Sequence, residues 1–333
     1  MSGSATIRGT TGIVAIGRNE GQRLRACLES LPAGCPRVYV DSASSDGSAA
    51  LARELSVEVV ELDPARPLSA ARARNAGFAR LRELAGDLSR VQFLDGDCEL
   101  EPGWLAAAEA ALDADPALAA VCGRRRERHP DASPYNRLID MEWEGAPGRT
   151  ERFGGDVMLR AAVFEALGGY DESLIAGEDP ELARRVRRAG HAIERLDAPM
   201  TRHDAALSRF SQWWTRQVRA GHAAAEAWWR EGGPDLSRRL GSILFWGAAL
   251  PVAVALGVWQ AGAIAWTGLL LYAALAVRIA VRQRRAGRTP GDAALYAAAC
   301  LEGKFAEALG AVRFALRTLS GSAAARPELI EYK

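Results

Sequence analysis

No two cysteines in the sequence are spaced as CxxC, and the five present (Cys27, Cys35, Cys98, Cys122 and Cys300) are scattered and odd in number. That excludes a zinc-ribbon type of site and a disulfide framework, and it suits reduced thiols in a cytosolic compartment. Charge is nearly balanced, with a formal net charge of +1, so bulk electrostatics gives no support to nucleic-acid binding. The first residues, Met-Ser-Gly-Ser-Ala-Thr-Ile-Arg, lack the apolar core of a signal peptide, and the expectation is a first domain that stays in the cytosol. The last shortage is local: Gly241 to Val277 contains no Asp, Glu, Lys or Arg. Such a stretch calls for a membrane reading. At 333 residues, 49% of them hydrophobic, the chain has ample material for one large or two modest cores.

What is present begins as strand and helix in turn. Gly12 to Gly17 is a short apolar run, and Leu24, Leu28 and Leu31 then recur at helical spacing. Arg37 to Asp41 reads as a second strand. A turn cluster follows, in which Asp46 is placed to cap a helix through Leu55, and Val57 to Leu62 reads as a third strand. A helix over 70–85 returns the chain to a strand at Val91. Alternation of this kind argues for a parallel sheet covered on both faces, with ligands at the carboxyl ends of the strands. Asn19 and Glu20, Asp41, and Asp95-Gly96-Asp97 all fall at such ends. Asp95 and Asp97, two positions apart in extended chain, can converge on one side, and Gly96 leaves room for a ligand. Paired carboxylates of this kind suit a hard divalent cation that shares its coordination with substrate phosphates. The plain alternative is an Asp-Gly turn.

Four segments in order, Ile-Gly-Arg-Asn-Glu (16–20), Val-Asp-Ser-Ala-Ser-Ser-Asp-Gly-Ser (40–48), Ala-Arg-Asn-Ala-Gly (73–77) and Leu-Asp-Gly-Asp (94–97), resemble those of family 2 glycosyltransferases of the GT-A fold. The resemblance covers residues 12 to about 222. It implies an α/β, Rossmann-like fold and an inverting hexosyl transfer from a nucleotide-diphosphate sugar, a UDP-sugar by the weight of the family, with Mg2+ or Mn2+. By the same resemblance Asp41 would bind the nucleobase in a pocket shared with Ile16, Gly17, Asn19 and Glu20. Arg74, Asn75, Asp95 and Gly96 would also line the nucleotide-sugar site, and Asp97 would be the main metal ligand beside Asp95. The Ile16-Gly17 ending of the first strand departs from the common Pro-Thr of the family.

Further along, Leu118 to Gly123 reads as a strand, and Arg124 to Arg128 as either a solvated face or a loop near an anionic ligand. Pro134 to Trp143 has helical character. Gly154, Gly155 and Asp156 open another strand, where bare backbone would admit a donor or acceptor sugar or else mark a bulge. Gly177-Glu178-Asp179-Pro180 precedes a helix, with Pro180 expected at the first helical position and Asp179 open to the role of N-cap. The family resemblance makes Asp179 the catalytic base and Glu178 its orienting neighbour. His203, after a strand over 191–196, is a candidate third metal ligand, against the more ordinary structural histidine.

The remainder points to a lipid surface. Phe210 to Arg230 sets Trp213, Trp214, Trp228 and Trp229 among arginines, the composition of a helix at the headgroup level. Arg216 and Arg219 within it look like the basic element that relatives place over the donor diphosphate. As one straight helix the uncharged stretch would run about 55 Å against about 30 Å of hydrocarbon, so it is expected to fold back at Gln260-Ala-Gly262 into two short transmembrane helices. A re-entrant hairpin and a buried soluble hairpin are the alternatives. Arginines beyond both ends place those ends in the cytosol.

The resulting organisation is an N-terminal tail (1–11), a catalytic domain (12–208), an amphipathic interface helix (209–239), a membrane hairpin (240–281), and a basic loop with an amphipathic helix on the membrane face and a loose tail (282–333). The expected partners are a nucleotide-diphosphate sugar, a lipid-linked or cell-surface polysaccharide acceptor, and the cytoplasmic membrane, with the catalytic domain facing the cytosol. A nucleotidyltransferase would need a Gly-rich triphosphate loop after the first strand, and Gly17 to Gly21 is not one. A catalytically dead, membrane-tethered scaffold is set against the intact Asp95, Asp97 and Asp179.

Overall fold

The computed structural model describes residues 10–260 and 263–320. Residues 1–9 of the expected N-terminal tail, the expected C-terminal tail from 321, and residues 261–262 of the expected turn lie outside the described residues, whereas Thr10 and Thr11, expected in the tail, belong to the first strand. The chain divides into two units. The first holds the described residues up to Arg128 together with Trp143–Ala205, and the second holds His129–Glu142 and the described residues from Ala206 onward. The helix at Pro134 therefore clusters with the second unit, not with the catalytic domain in which its sequence position had set it.

The first unit is built on β1 (Thr10–Gly17), α1 (Gln22–Glu29), β2 (Arg37–Asp41), α2 (Ser48–Glu54), β3 (Glu58–Glu61), α3 (Ala70–Leu84) and β4 (Leu88–Asp95). β5 (Cys98–Leu100), α4 (Trp104–Ala114) and β6 (Leu118–Glu127) follow; the chain then passes through α5 (Pro134–Glu142) of the second unit. It returns for β7 (Gly148–Arg149), β8 (Val157–Arg160), α6 (Ala161–Ala166), α7 (Glu178–Arg188) and β9 (Ala192–His203). One mixed sheet in the order β3-β2-β1-β4-β8-β6-β9-β5 results, with β7 on β9. Strands β1 to β4 are parallel, as their alternation with helices requires. β8 runs against both β4 and β6, and β9 runs parallel to β6. The carboxyl ends of β1, β2, β4, β6 and β9 therefore all open on one rim.

Apolar runs explain the interior: Ile13, Val14, Leu94, Phe93, Val121 and Leu159 are fully buried. Helix α3, capped by the Ser69 hydroxyl on Arg72 N–H, lies so close to the sheet that a Cβ at Gly77 would stand 2.3 Å from Val14 Cγ1. Two strands are longer than their apolar cores suggested. β6 continues through the arginines to Glu127, and β9 reaches His203, because the two pair with each other to their ends.

The second unit is helical: α5, α8 (Phe210–Glu231), α9 (Pro234–Leu244), a π-helical turn (Phe245–Ala249), α10 (Leu250–Gln260), α11 (Ala263–Arg285) and α12 (Pro290–Leu319). Pro251 has no N–H and its ring crowds the carbonyl one turn earlier, which accounts for the widened turn before it. Tyr272 donates to Trp246 O, and a Cβ at Gly268 would meet Val254 Cγ2 at 2.2 Å, so α11 packs antiparallel to the helix before it, as a hairpin requires. Among the described residues, Pro234–Gly257 alone is long and apolar enough to cross a membrane, and only 22% of its apolar window is buried. Helix α12, expected to be amphipathic, packs on α8, α9, α11 and the π turn. Its small residues allow this. Gly221, Gly247 and Gly310 lie at the crossings, where an added Cβ would stand about 2 Å from a backbone oxygen.

Candidate active site

Register places the site residues before any side chain is considered. Gly17 pairs with Asp41, and Ile16 with Asp95, so the ends of β1, β2 and β4 form one row. Asp41 is buried and accepts from Tyr39 O–H (3.1 Å) and Ser44 N–H (2.8 Å). Asn19, at φ 55°, accepts Ser45 N–H with its side-chain oxygen (2.8 Å), and its own N–H goes to Ser44 Oγ. These bonds tie the end of β1 to the turn after β2. Glu20 pairs with Arg23 at 2.9 Å, beside Gly17 and Gly96. Gly96 N–H donates to Ile16 O at 2.7 Å, and a Cβ there would press on that carbonyl, so the glycine lets the Asp95–Asp97 turn lie flat against β1.

Arg74 joins the two carboxylate groups that the sequence leaves far apart. From α3, almost wholly buried, it reaches Asp95 Oδ1 and Glu178 Oε1, both at 2.9 Å, and Asp179 Oδ1 at 3.3 Å, with Tyr170 against its guanidinium. Asp179 is not the cap of its helix. Gly177, at φ 88°, begins α7, and Pro180 stands in the third helical position, not the first. Released from capping, the Asp179 carboxylate faces Arg74 and its Oδ1 takes no well-formed hydrogen bond. Desolvation pushes its pKa up to about 8; Arg74 opposes the rise, and Glu178 and Asp95 add to it.

Asp95 and Asp97 have different surroundings. Asp95 meets Arg74 through Oδ1 and Arg125 through Oδ2 (3.3 Å). Burial alone would raise its pKa, but the two guanidiniums outweigh it and hold the carboxyl below the ordinary range. Asp97 Oδ2 instead lies 3.3 Å from His203 Nε2, both side chains buried. Asp97, Cys98 and His203 each bring one donor atom within 4.8 Å of the others. Desolvation and the neighbouring carboxylates push the Cys98 thiol well up, Arg125 opposing, which keeps it a protonated and poor ligand. A carboxylate oxygen with an imidazole nitrogen suits Mn2+ or Mg2+, the remaining positions going to water or phosphate. The donor chemistry of Asp97 and His203 therefore fits the expected cation.

Several of the expected site residues have partners within the protein that the sequence did not suggest. Asp156, expected at a sugar, has a side chain with no solvent exposure: it accepts Asp95 N–H (3.0 Å) and the Thr201 hydroxyl (2.7 Å), and it lies 3.5 Å from Arg125. It is a buried brace under Asp95, because β8 inserts next to β4 and points it inward. Gly155 is needed for a similar reason, since a Cβ would stand 2.5 Å from Arg74 Nη2 and 2.7 Å from Asp95 Oδ2; Gly154 has open space. Asn75 holds the loop at Tyr170, its amide pairing with Tyr170 N–H and C=O at 2.9 Å each. Arg216 and Arg219 belong to α8 in the second unit, where Arg216 pairs with Glu142 at 2.7 Å. Arg125 went unremarked among four arginines. The signal was period-two alternation along an extended β6: Arg124 and Arg126 are exposed while Arg125 and Glu127 turn inward, Arg125 lying over the Trp143 ring at 4.3 Å.

A mixed sheet of this order, with an acidic pair at the end of β4, is the arrangement of the GT-A fold. Residues 13–161 match the family model described as glycosyl transferase family 2, and residues 142–207 match one described as the N-terminal domain of galactosyltransferase. Over these residues the chain is similar to family 2 glycosyltransferases. Over 193 residues it is 28% identical to the succinoglycan biosynthesis protein ExoA of Rhizobium meliloti (strain 1021), covering 54% of this chain and 58% of that one. Over 226 residues it is 24% identical to the glycosyltransferase AglE of Haloferax volcanii, covering 63% of this chain and 71% of that one. The mannosyltransferase PcManGT from Pyrobaculum calidifontis, in complex with GDP-Man and Mn2+, shares the fold with a TM-score of 0.62 at 19% identity, over 93% of this chain and 88% of that one.

Proposed function

We propose that this enzyme is an inverting, divalent-metal-dependent hexosyltransferase that moves a sugar from a nucleotide-diphosphate donor to a hydroxyl of a lipid-linked or cell-surface polysaccharide acceptor at the cytoplasmic membrane. A UDP-sugar is the first donor class to test. The observation that carries the reading is Arg74, which binds the acidic turn after β4 and the acidic start of α7 in one network. Asp41, Asn19, Glu20 and the Ile16-Gly17 edge receive the nucleoside. Asp97 and His203 hold the cation, which when bound neutralises the charge of the departing diphosphate. Asp179 takes the proton of the acceptor hydroxyl as its oxygen attacks the anomeric carbon and the bond from that carbon to phosphate oxygen breaks. Attack from the face opposite the leaving group inverts the anomeric configuration. Glu178 and Arg74 hold Asp179 in place.

Exposed apolar side chains on the second unit, Leu256, Trp266 and Leu270 among them, support the membrane assignment. The arginines from Arg278 to Arg288 support a cytosolic position for the end of α11.

The test is a donor screen with protein purified in detergent, with and without membrane lipid extract, reading nucleoside diphosphate release and the anomeric configuration of the product by NMR. Release that needs Mg2+ or Mn2+, inversion, and loss of transfer in Asp97→Ala and Asp179→Asn are expected. Wild-type transfer by Asp179→Asn would remove it as the base, and chelator-resistant transfer would remove the cation.

A further inference from the structure

Three neighbouring strands converge on one imidazole. β9 lies between β5 and β6, and the register pairs His203 with Cys98 on one side and with Glu127 on the other. The two ring nitrogens of His203 consequently face different carboxylates: Nε2 is 3.3 Å from Asp97 Oδ2, and Nδ1 is 3.3 Å from Glu127 Oε2. The Trp143 ring stands perpendicular to the imidazole with centroids 4.4 Å apart. Glu127 has a side chain with no solvent exposure, and the same oxygen accepts Ala205 N–H at 3.1 Å. It is not among the residues whose donor atoms cluster with Asp97 and His203.

We infer that Glu127 is the positioning residue of the cation site: it sets the tautomer and the angle of His203 so that the Nε2 lone pair points at the place next to Asp97 where the metal binds. This rests on the reading of Asp97 and His203 as ligands. A buried carboxylate needs hydrogen-bond donors, and Oε2 faces two groups that can supply them, Ala205 N–H and the Nδ1 of His203. A proton on Nδ1 leaves Nε2 unprotonated, the form that can coordinate. A carboxylate behind a ligating histidine also fixes the orientation of the ring.

Mn2+ titration of the full chain in detergent, followed by the EPR signal of free Mn2+, tests this. In Glu127→Gln a single amide oxygen can stand where Oε2 meets both Ala205 N–H and Nδ1, but the negative charge that holds the proton on Nδ1 is gone, which weakens the preference for that tautomer. Mn2+ binding weaker by about ten- to a hundred-fold is expected, with a small change in Tm and with transfer recovering as Mn2+ is raised. His203→Ala in the same titration separates the two readings. Weak binding by His203→Ala but wild-type binding by Glu127→Gln overturns the inference and leaves the ligand assignment standing. Wild-type binding by both variants, or no binding by the wild type, overturns both. Should Glu127→Gln not fold, Glu127→Asp retains the charge and is expected to bind Mn2+ more tightly than His203→Ala; equal weakness overturns the inference.

Discussion

Two guanidiniums grip Asp95 from opposite sides, and the consequences differ for each neighbouring residue. Arg125→Ala would take a guanidinium from the fully buried Asp156 and from the partly buried Asp95, so a loss of about 3 kcal/mol is expected in denaturant unfolding of the protein. Arg125→Lys is expected to recover only part of it, because an ammonium lacks the planar fork that meets both carboxylates. Gly155→Ala forces Arg74 and Asp95 to move and is expected to lower kcat at least ten-fold, read from diphosphate release, with a smaller effect on Tm. For Asp179 the folded-state pKa stands above the ordinary carboxyl value, so its contribution to stability is present at low pH and is lost as pH rises toward about 8. Asp179→Asn is accordingly expected to raise Tm relative to wild type above about pH 8, with the gap closing toward acid pH. In the wild type kcat/KM should rise with pH toward a plateau above about pH 8, since the base must be ionised to accept a proton.

At the scale of elements, legibility followed periodicity. The first, second and fourth strands and their helices were readable because each buries a run of apolar residues, and Asp41, Asp95 and Asp97 followed from sitting at the ends of those runs. Strands β6 and β9 were read short, because their last residues are charged and gain their place from pairing with each other. That hid Arg125 and Glu127. In α12 the packing was not legible: alanine and glycine look like a weak amphipathic pattern, whereas their size is what lets backbones touch. Gly221→Ala would ordinarily strengthen a helix by about 1 kcal/mol. Here the added Cβ would stand 1.9 Å from Glu307 O, and a net fall in Tm is expected by differential scanning fluorimetry in detergent.

For the molecule as a whole, a catalytic unit and a helical unit are separately organised, and the expected behaviour at a bilayer belongs to the second. Trp266 and Leu270 are each 69% exposed on α11. Replacing both with Asp is expected to shift the protein out of the membrane fraction in vesicle flotation, because a carboxylate in hydrocarbon is costly. Unchanged flotation would place α11 away from lipid. By itself the sequence determined the alternating sheet, the rim on which ligands gather, the family motifs and the uncharged stretch, since each is written in local composition and spacing. Tertiary structure alone decided which of several like residues meets what: Arg125 and not Arg124 reaches Asp95, Asp97 and not Asp156 lies beside His203, and Asp179 faces Arg74 and does not cap α7. The physical reason is that a buried charge takes its role from the partners it meets, and these partners come from strands and helices distant in the chain.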